Sequence, residues 1–269
     1  MGESREAAYS RQELMVIEAA RHVRDGDVVF VGTGLPLLAT TLAQRLHAPN
    51  VVCVIESGVI APLVRPTPVS VSDPKVMFRA VRLGTLREVL GCLLQRGLID
   101  LGFIGGAQID RFGNINSTQI GPPGAMRRRL PGSGGGNDMA SHCRRLLIIT
   151  RHERRRFPER CDYITSPGFL DGPGARRRAG LGAEFAVTVV TDLAVLDHDP
   201  ATCALRIAKL MPGITVEAVR AETGFRPDTA PDAGVVGLPA AEELRVLRDE
   251  VDPARVYLKE EEPVPGSRR

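Results

Sequence analysis

A chain of 269 residues with 43% apolar and 25% charged side chains can bury one large core and has ordinary globular composition. A net charge of only +3, scarce aromatics and no tryptophan exclude a general polyanion binder and a base-stacking nucleic-acid platform. Cys53, Cys92, Cys143, Cys161 and Cys203 form no CxxC pair and no metal-ligand spacing with the five histidines; reduced, mostly buried thiols, no metal site, no membrane span and a cytoplasmic location are expected.

In chain order, RQELMVIEAARHVRDGD (11–27) spaces Leu14, Ile17, Ala20 and Val23 three residues apart and stops at Asp25-Gly26, which predicts an amphipathic helix with a glycine stop. VVFV (28–31) reads as a strand, GTGLPLLATTLAQRLHA (32–48) as a tight turn into a helix, and NVVCVIE (50–56) as the next strand of a βαβ unit. The GTG turn lacks the third glycine of a dinucleotide fingerprint, whose place falls on Leu37, and lacks its ribose-binding acid, so it is read as a turn for close helix packing. LREVLGCLLQRGLI (86–99), TVEAVRAET (215–223) and PAAEELRVLRDEV (239–251) read as helices; DLGFIGG (100–106), RRLLIIT (144–150) and AVTVVTDLAVL (186–196) read as strands. This alternation predicts an α/β fold with an open, mainly parallel sheet flanked by helices. No linker divides the chain, so residues 1–269 are read as one domain with a charged tail fraying from about residue 259.

Three stretches carry chemistry. The apolar strand ending on Glu56, followed by Ser57 and Gly58, puts a carboxylate at the carboxyl end of a strand, where open α/β sheets place their ligand crevice; capping of the following helix or turn is the plain alternative. GGAQIDRFGNINST (105–118) reads as a hairpin turning at Arg111 to Asn114. PGSGGGNDMASHC (131–143) has four glycines in five positions before a helix start, with Asn137 and Asp138 suited to its first turn. Such backbone exposes unpaired N–H groups that stabilise a phosphate or a transient oxyanion, unless it is only a surface loop. Without a following Gly-Lys-Ser or Gly-Lys-Thr it is not a P-loop.

Taken together, IESGVI, GGAQIDRFGNIN and PGSGGGNDMA, in that order, with CDYITSPGFLDGPGARRRAGL (161–181) and MPGITVEAVRAETGF (211–225), resemble the B subunit of class I CoA-transferases, glutaconate CoA-transferase most of all. The resemblance implies the CoA-transferase fold, Glu56 as covalent nucleophile with Gly58 completing its motif, and Gly134, Gly135 and Gly136 as amide donors to the thioester oxyanion. It places Ser57, Gly58, Gln108 and Asn137 along the site. It also implies coenzyme A as a substrate with no permanently bound cofactor, an acyl-CoA donor, a carboxylic acid acceptor, and a homologous A subunit in a heterotetramer or larger assembly. The family's ring-cleaving hydrolases and decarboxylases lack the glutamate that this chain keeps, which favours transfer over those reactions. A non-enzymatic acyl-CoA or sugar-phosphate sensor is the alternative from another class; no helix-turn-helix pattern accompanies it. The arginine runs at 126–130, 151–157 and 176–178 are either phosphate ligands for CoA or solvated faces, and His142 is read as packing or capping.

Overall fold

Ser10 starts the first helix, α1 (Arg11–Arg21), with a reciprocal cap: its hydroxyl accepts from the Glu13 N–H at 3.1 Å and its own N–H donates to the Glu13 carboxylate at 2.8 Å. The computed structural model describes residues 8–64, 67–122, 124–182 and 184–258; the tail expected to fray from about 259 lies outside them. The described residues form two compact units, one from the stretches 8–86 and 237–258, the other from 87–236.

In the first unit, α1 ends four residues before the expected stop, and Gly26, at φ +82°, serves the turn from Arg24 to Asp27 instead. Its buried run from Glu13 to Ala20 is unbroken, so the helix is covered all round rather than amphipathic. The C-terminal segment supplies the cover. Arg248 donates to Glu13 at 2.6 and 2.9 Å, and Arg21 to Glu243 at 2.8 and 3.0 Å, so the buried carboxylate is paired. The expected βαβ unit is present: β1 (Val28–Val31) pairs in parallel with β2 (Val52–Ile55), joined by α2 (Leu35–Leu46). Gly34 caps α2 at φ +95° with only Pro36 nearby, so glycine is needed there for its backbone angle and not for close packing. Beyond β2 the sheet turns antiparallel through β3 (Val59–Ile60) and β4 (Arg82–Leu83).

The second unit begins with the expected helix, wound as a π-helix over Glu88–Leu94, with the Gln95 N–H donating to Leu90 O at 3.0 Å. Strand β5 (Leu101–Ile104) leads to two small hairpins, β6 (Gln108–Ile109) with β7 (Ile115–Asn116), and β8 (Gln119–Ile120) with β9 (Arg128–Arg129). Helix α3 (Gly136–His142) follows, and then β10 (Arg145–Ile149), which runs parallel to both β5 and β11 (Ala186–Val190). The single strand expected over 186–196 is two, β11 and the antiparallel β12 (Ala194–His198). The Thr191 hydroxyl accepts from the Leu193 and Ala194 N–H groups at 3.2 and 2.9 Å, a local turn that competes with the ladder. Strands β13 (Leu205–Leu210) and β14 (Asp228–Val235) complete this part of an open, mainly parallel sheet flanked by helices. Leu146 to Ile149 are all buried, as a strand covered on both faces requires.

All five cysteines are free thiols. Burial pushes Cys53 and Cys143 up to about 12, but Cys161 and Cys203 are half-buried and Cys92 is exposed, so the expected burial holds for only two. Among the described residues no helix is long and apolar enough to cross a membrane.

Candidate active site

Glu56 and Ser57 are the central residues of a tight turn closed by the Gly58 N–H donating to Ile55 O at 2.9 Å. With Gly58 at φ +106°, and Val54 opposite Ile60 across the ladder, this is a three-residue hairpin loop whose last position demands glycine. No helix follows it. Glu56 is half-buried and Ser57 exposed; among the described residues neither side chain has a hydrogen-bond or ionic partner, so the carboxylate caps nothing. A Cβ on Gly58 would overlap the Gly84 carbonyl oxygen and stand 2.6 Å from its carbon and 2.9 Å from Thr85 N. The Gly84 N–H donates to Gly58 O at 2.8 Å, so the turn is fixed against the chain leaving β4.

The glycine loop lies in the second unit. Gly134 is at φ +48°, Gly135 is the N-cap residue of α3, and Gly136 is its first residue. The Gly136 N–H is engaged, donating to Ser133 O at 2.8 Å, whereas those of Gly134, Gly135 and Asn137 find no acceptor among the described residues. The three glycines are therefore not equivalent donors: Gly136 drops out of the free set and Asn137 joins it. Close packing at Gly136 is real: a Cβ there would stand 2.7 Å from Ile104 Cδ1 and 3.3 Å from Ser166 Oγ.

Hydrogen bonds hold the loop at both ends. Upstream, Leu130 N–H donates to Thr118 O at 2.9 Å, Gly132 N–H to Ser117 O at 2.8 Å, and the Ser117 hydroxyl to Gly132 O at 2.8 Å. Downstream, the Asn137 side-chain amide donates to Thr165 O at 2.8 Å. Thr165 ties the two together, since its hydroxyl accepts from Ser117 N–H at 2.9 Å and donates to the Thr118 hydroxyl at 2.8 Å. Gln108, expected to line the site, is buried with both ends engaged. Its amide donates to Asp162 at 3.0 Å, and its carbonyl accepts from Asn116 at 2.6 Å and from Asp162 N–H at 3.1 Å. It supports the hairpin β6–β7 rather than offering a free polar group.

A half-buried, unpartnered carboxylate on a tight turn is suited to nucleophilic attack on a carbonyl, and a run of free amides to an oxyanion. The sequence matches the coenzyme A transferase description over residues 13–222. The chain belongs to the coenzyme A transferase family. It is 37% identical over 242 residues to the B subunit of 3-oxoadipate CoA-transferase from Pseudomonas knackmussii, covering 90% of this chain and 93% of that protein. It is 35% identical over 256 residues to the B subunit of glutaconate CoA-transferase from Acidaminococcus fermentans, covering 93% and 96%. The crystal structure of glutaconate coenzyme A-transferase from Acidaminococcus fermentans matches with a TM-score of 0.88, over 94% of this chain and 98% of that one. The decarboxylase AibA/AibB, 24% identical with a TM-score of 0.79 over 91% and 96% of the two chains, shares the fold.

In this CoA-transferase family member the three arginine runs have different fates. Arg154 donates to Ala221 O and Thr223 O, each at 3.0 Å, while Arg155 and Arg156 pair with Glu153 at 2.6 and 3.3 Å, so this run is structural. Arg176 is buried, lies 3.6 Å over the Phe185 ring and donates to the carbonyls of Ala140, Ser141, Pro167, Gly168 and Gly182 at 2.8 to 3.2 Å. Burial without a carboxylate partner lowers its pKa to about 10; its role is to satisfy the end of α3 and the chain after Ser166. Arg127, Arg128 and Arg129 are exposed and pair with nothing among the described residues.

Sequence reasoning missed Thr165 and Ser117, whose partners are distant in the chain, and read Arg176 as a phosphate ligand or part of a solvated face, whereas it is buried on internal carbonyls. The signals for Thr165 and Ser117 were the quoted stretches 161–181, which had no assigned chemistry, and 105–118, which was read as a hairpin. His142 is exposed and has no partner among the described residues. Among those residues no group of three or more His, Cys, Asp or Glu is placed to hold a metal ion.

Proposed function

We propose that this chain is the B subunit of a two-subunit enzyme that moves CoA from an acyl-CoA to a carboxylic acid through Glu56. The Glu56 carboxylate attacks the thioester carbonyl, the C–S bond breaks, and CoA thiolate leaves behind a mixed anhydride. The thiolate then adds to the glutamyl carbonyl, releasing the first carboxylate and leaving a glutamyl-CoA thioester. A second carboxylate attacks that thioester to form a new anhydride, and the thiolate takes its acyl group, which restores Glu56. The free amides of Gly134, Gly135 and Asn137 are the donors for the oxyanion formed at each addition, and one well-aimed donor is worth roughly 100- to 1000-fold in rate. Gly136 acts by holding that loop, and Gln108 by holding the hairpin β6–β7. The observation that carries the reading is the half-buried carboxylate of Glu56, on a tight hairpin and bonded to no described neighbour, in a chain of this family.

Two of the relatives are named as B subunits acting with 3-oxoadipate and glutaconate, both dicarboxylic acids. This supports an A-subunit partner and a dicarboxylic acid substrate; the reading takes that partner as homologous and the assembly as a heterotetramer or larger. In this reading the two compact units work as one cytoplasmic B-subunit domain, with coenzyme A as substrate and no resident cofactor. The test is Glu56→Gln in the chain co-purified with its A subunit. Exchange of labelled carboxylate should fall by about 1000-fold or more with folding unchanged, and hydroxylamine trapping should label Glu56 only in the wild type. Trapping on another residue, or exchange by the variant near the wild-type rate, overturns the mechanism; exchange by the isolated chain overturns the two-subunit assembly.

A further inference from the structure

The chain from Arg111 to Asn137 contains no acidic residue, yet it carries Arg127, Arg128 and Arg129 immediately before the glycine loop. In the other runs Arg154, Arg155, Arg156, Arg176 and Arg178 are engaged by internal carbonyls and carboxylates, and Arg177 alone stands exposed without a described partner; Arg127, Arg128 and Arg129 have no described partner and stay exposed together on the β8–β9 ribbon. Unpaired cations adjoining the site, with no counter-charge on their own ribbon, are what an anionic part of a substrate requires. The ribbon is not a loose arm. Gln119 stands opposite Arg129 and Ile120 opposite Arg128, and the chain beyond is tied to Thr118 and Ser117 by the bonds from Leu130 and Gly132.

Successive strand residues face opposite sides, so Arg128 and Arg129 diverge. Arg129 turns towards the glycine loop: its Nη2 lies 4.0 Å from where a Cβ on Gly132 would stand. Two Cα steps of about 3.8 Å separate Gly132 from Gly134, which keeps the guanidinium within about 13 Å of the first free amide. That is the range of the far end of a short acyl chain bound at the amides; the phosphates of CoA lie at the end of the long pantetheine arm.

We propose that Arg129 is the specificity determinant of the acyl site, receiving the distal carboxylate of a dicarboxylic substrate whose other carboxylate carries CoA. The proposal rests on the CoA-transfer reading above and on the planar guanidinium, whose paired N–H groups match a carboxylate in a way that a lone amide does not. The shared chemistry is an oxyanion, and the alternative source is a CoA phosphate.

The test compares the wild type with Arg129→Gln and Arg128→Gln, each assembled with the A subunit, using acetyl-CoA as donor and glutarate or pentanoate as acceptor. The expected result is a KM for glutarate raised roughly 10- to 100-fold in Arg129→Gln, an unchanged KM for pentanoate, and wild-type behaviour in Arg128→Gln. Equal loss with both acids, or an unchanged KM for glutarate, overturns the proposal. Loss in Arg129→Gln of the wild-type preference for acetyl-CoA over acetyl-dephospho-CoA also overturns it and assigns the residue to phosphate. Calorimetric titration of glutarate into the same proteins reads the contact without transfer: weakened binding in Arg129→Gln alone supports it, and equal affinity overturns it. Absence of exchange by the wild type would count against the transfer mechanism, leaving this titration as an independent result.

Discussion

Replacing Gly58 by alanine tests how the Glu56 turn is held, and its cost can be assembled from the backbone. At φ +106° an alanine is strained by about 1–2 kcal/mol. Its Cβ would also overlap the Gly84 carbonyl oxygen and lie 2.6 Å from the carbon, where ordinary carbon contacts begin near 3.5 Å. The obstacle is backbone and cannot swing aside, so the two segments must separate by about 1 Å, weakening the 2.8 Å bond from Gly84 N–H to Gly58 O and the adjoining pair Val59 with Leu83. Each of these two is worth about 0.5–1.5 kcal/mol, which with the strain brings the expected loss to about 2–5 kcal/mol. Gly26→Ala is the internal control: φ is +82° there, but nothing lies within 4 Å, so only the conformational part applies. Urea unfolding of the two variants should differ by about 1–3 kcal/mol, with equal slopes. Turnover per folded molecule of the assembled Gly58→Ala enzyme should drop about 100-fold, the effect of moving a positioned group by about 1 Å. Equal destabilisation by the two substitutions would refute the contact with Gly84 as the constraint. Full turnover by folded Gly58→Ala would refute the turn as the device that places Glu56.

At Gly136, alanine should cost about 1–3 kcal/mol because Ile104 must retreat from its Cβ. Ile104→Val removes Cδ1, so the double variant should recover about 1 kcal/mol in a double-mutant cycle of unfolding free energies, and simple additivity would argue against the contact. His152 is buried between Thr191 and Thr223 and stacked on Phe157 at 4.2 Å, and burial lowers its pKa from 6.5 to about 4. The folded state therefore favours the neutral ring. Its contribution is fully present above pH 6.5 and is lost as pH falls towards 4, at up to about 1.4 kcal/mol per pH unit. Thermal unfolding followed between pH 7 and 5 should show this slope in the wild type and a flatter one in His152→Gln, and identical slopes would exclude His152 as its source.

Periodicity and turn residues were enough to read the βαβ unit from Val28 to Ile55, the hairpin turning at Arg111 to Asn114, the helix that starts at the glycine loop, and the open, mainly parallel sheet, because each depends on contacts within a few residues or on one buried face. The placing of Glu56 at a strand end was equally legible. Three features were decided by the tertiary structure. Helix α1 looked amphipathic until Arg248 and Arg21 brought the C-terminal segment over it, across more than 200 residues of chain. The strand over 186–196 was cut by one threonine hydroxyl that caps a turn, a choice between two hydrogen-bond sets that local composition leaves open. Three successive glycines cannot reveal that the Gly136 amide is spent on Ser133 while the Asn137 backbone amide is free, since that depends on φ and ψ at each residue and on the brace from Thr165. Side-chain periodicity reports burial, whereas the direction of a backbone N–H is set only when distant segments lock the loop in place.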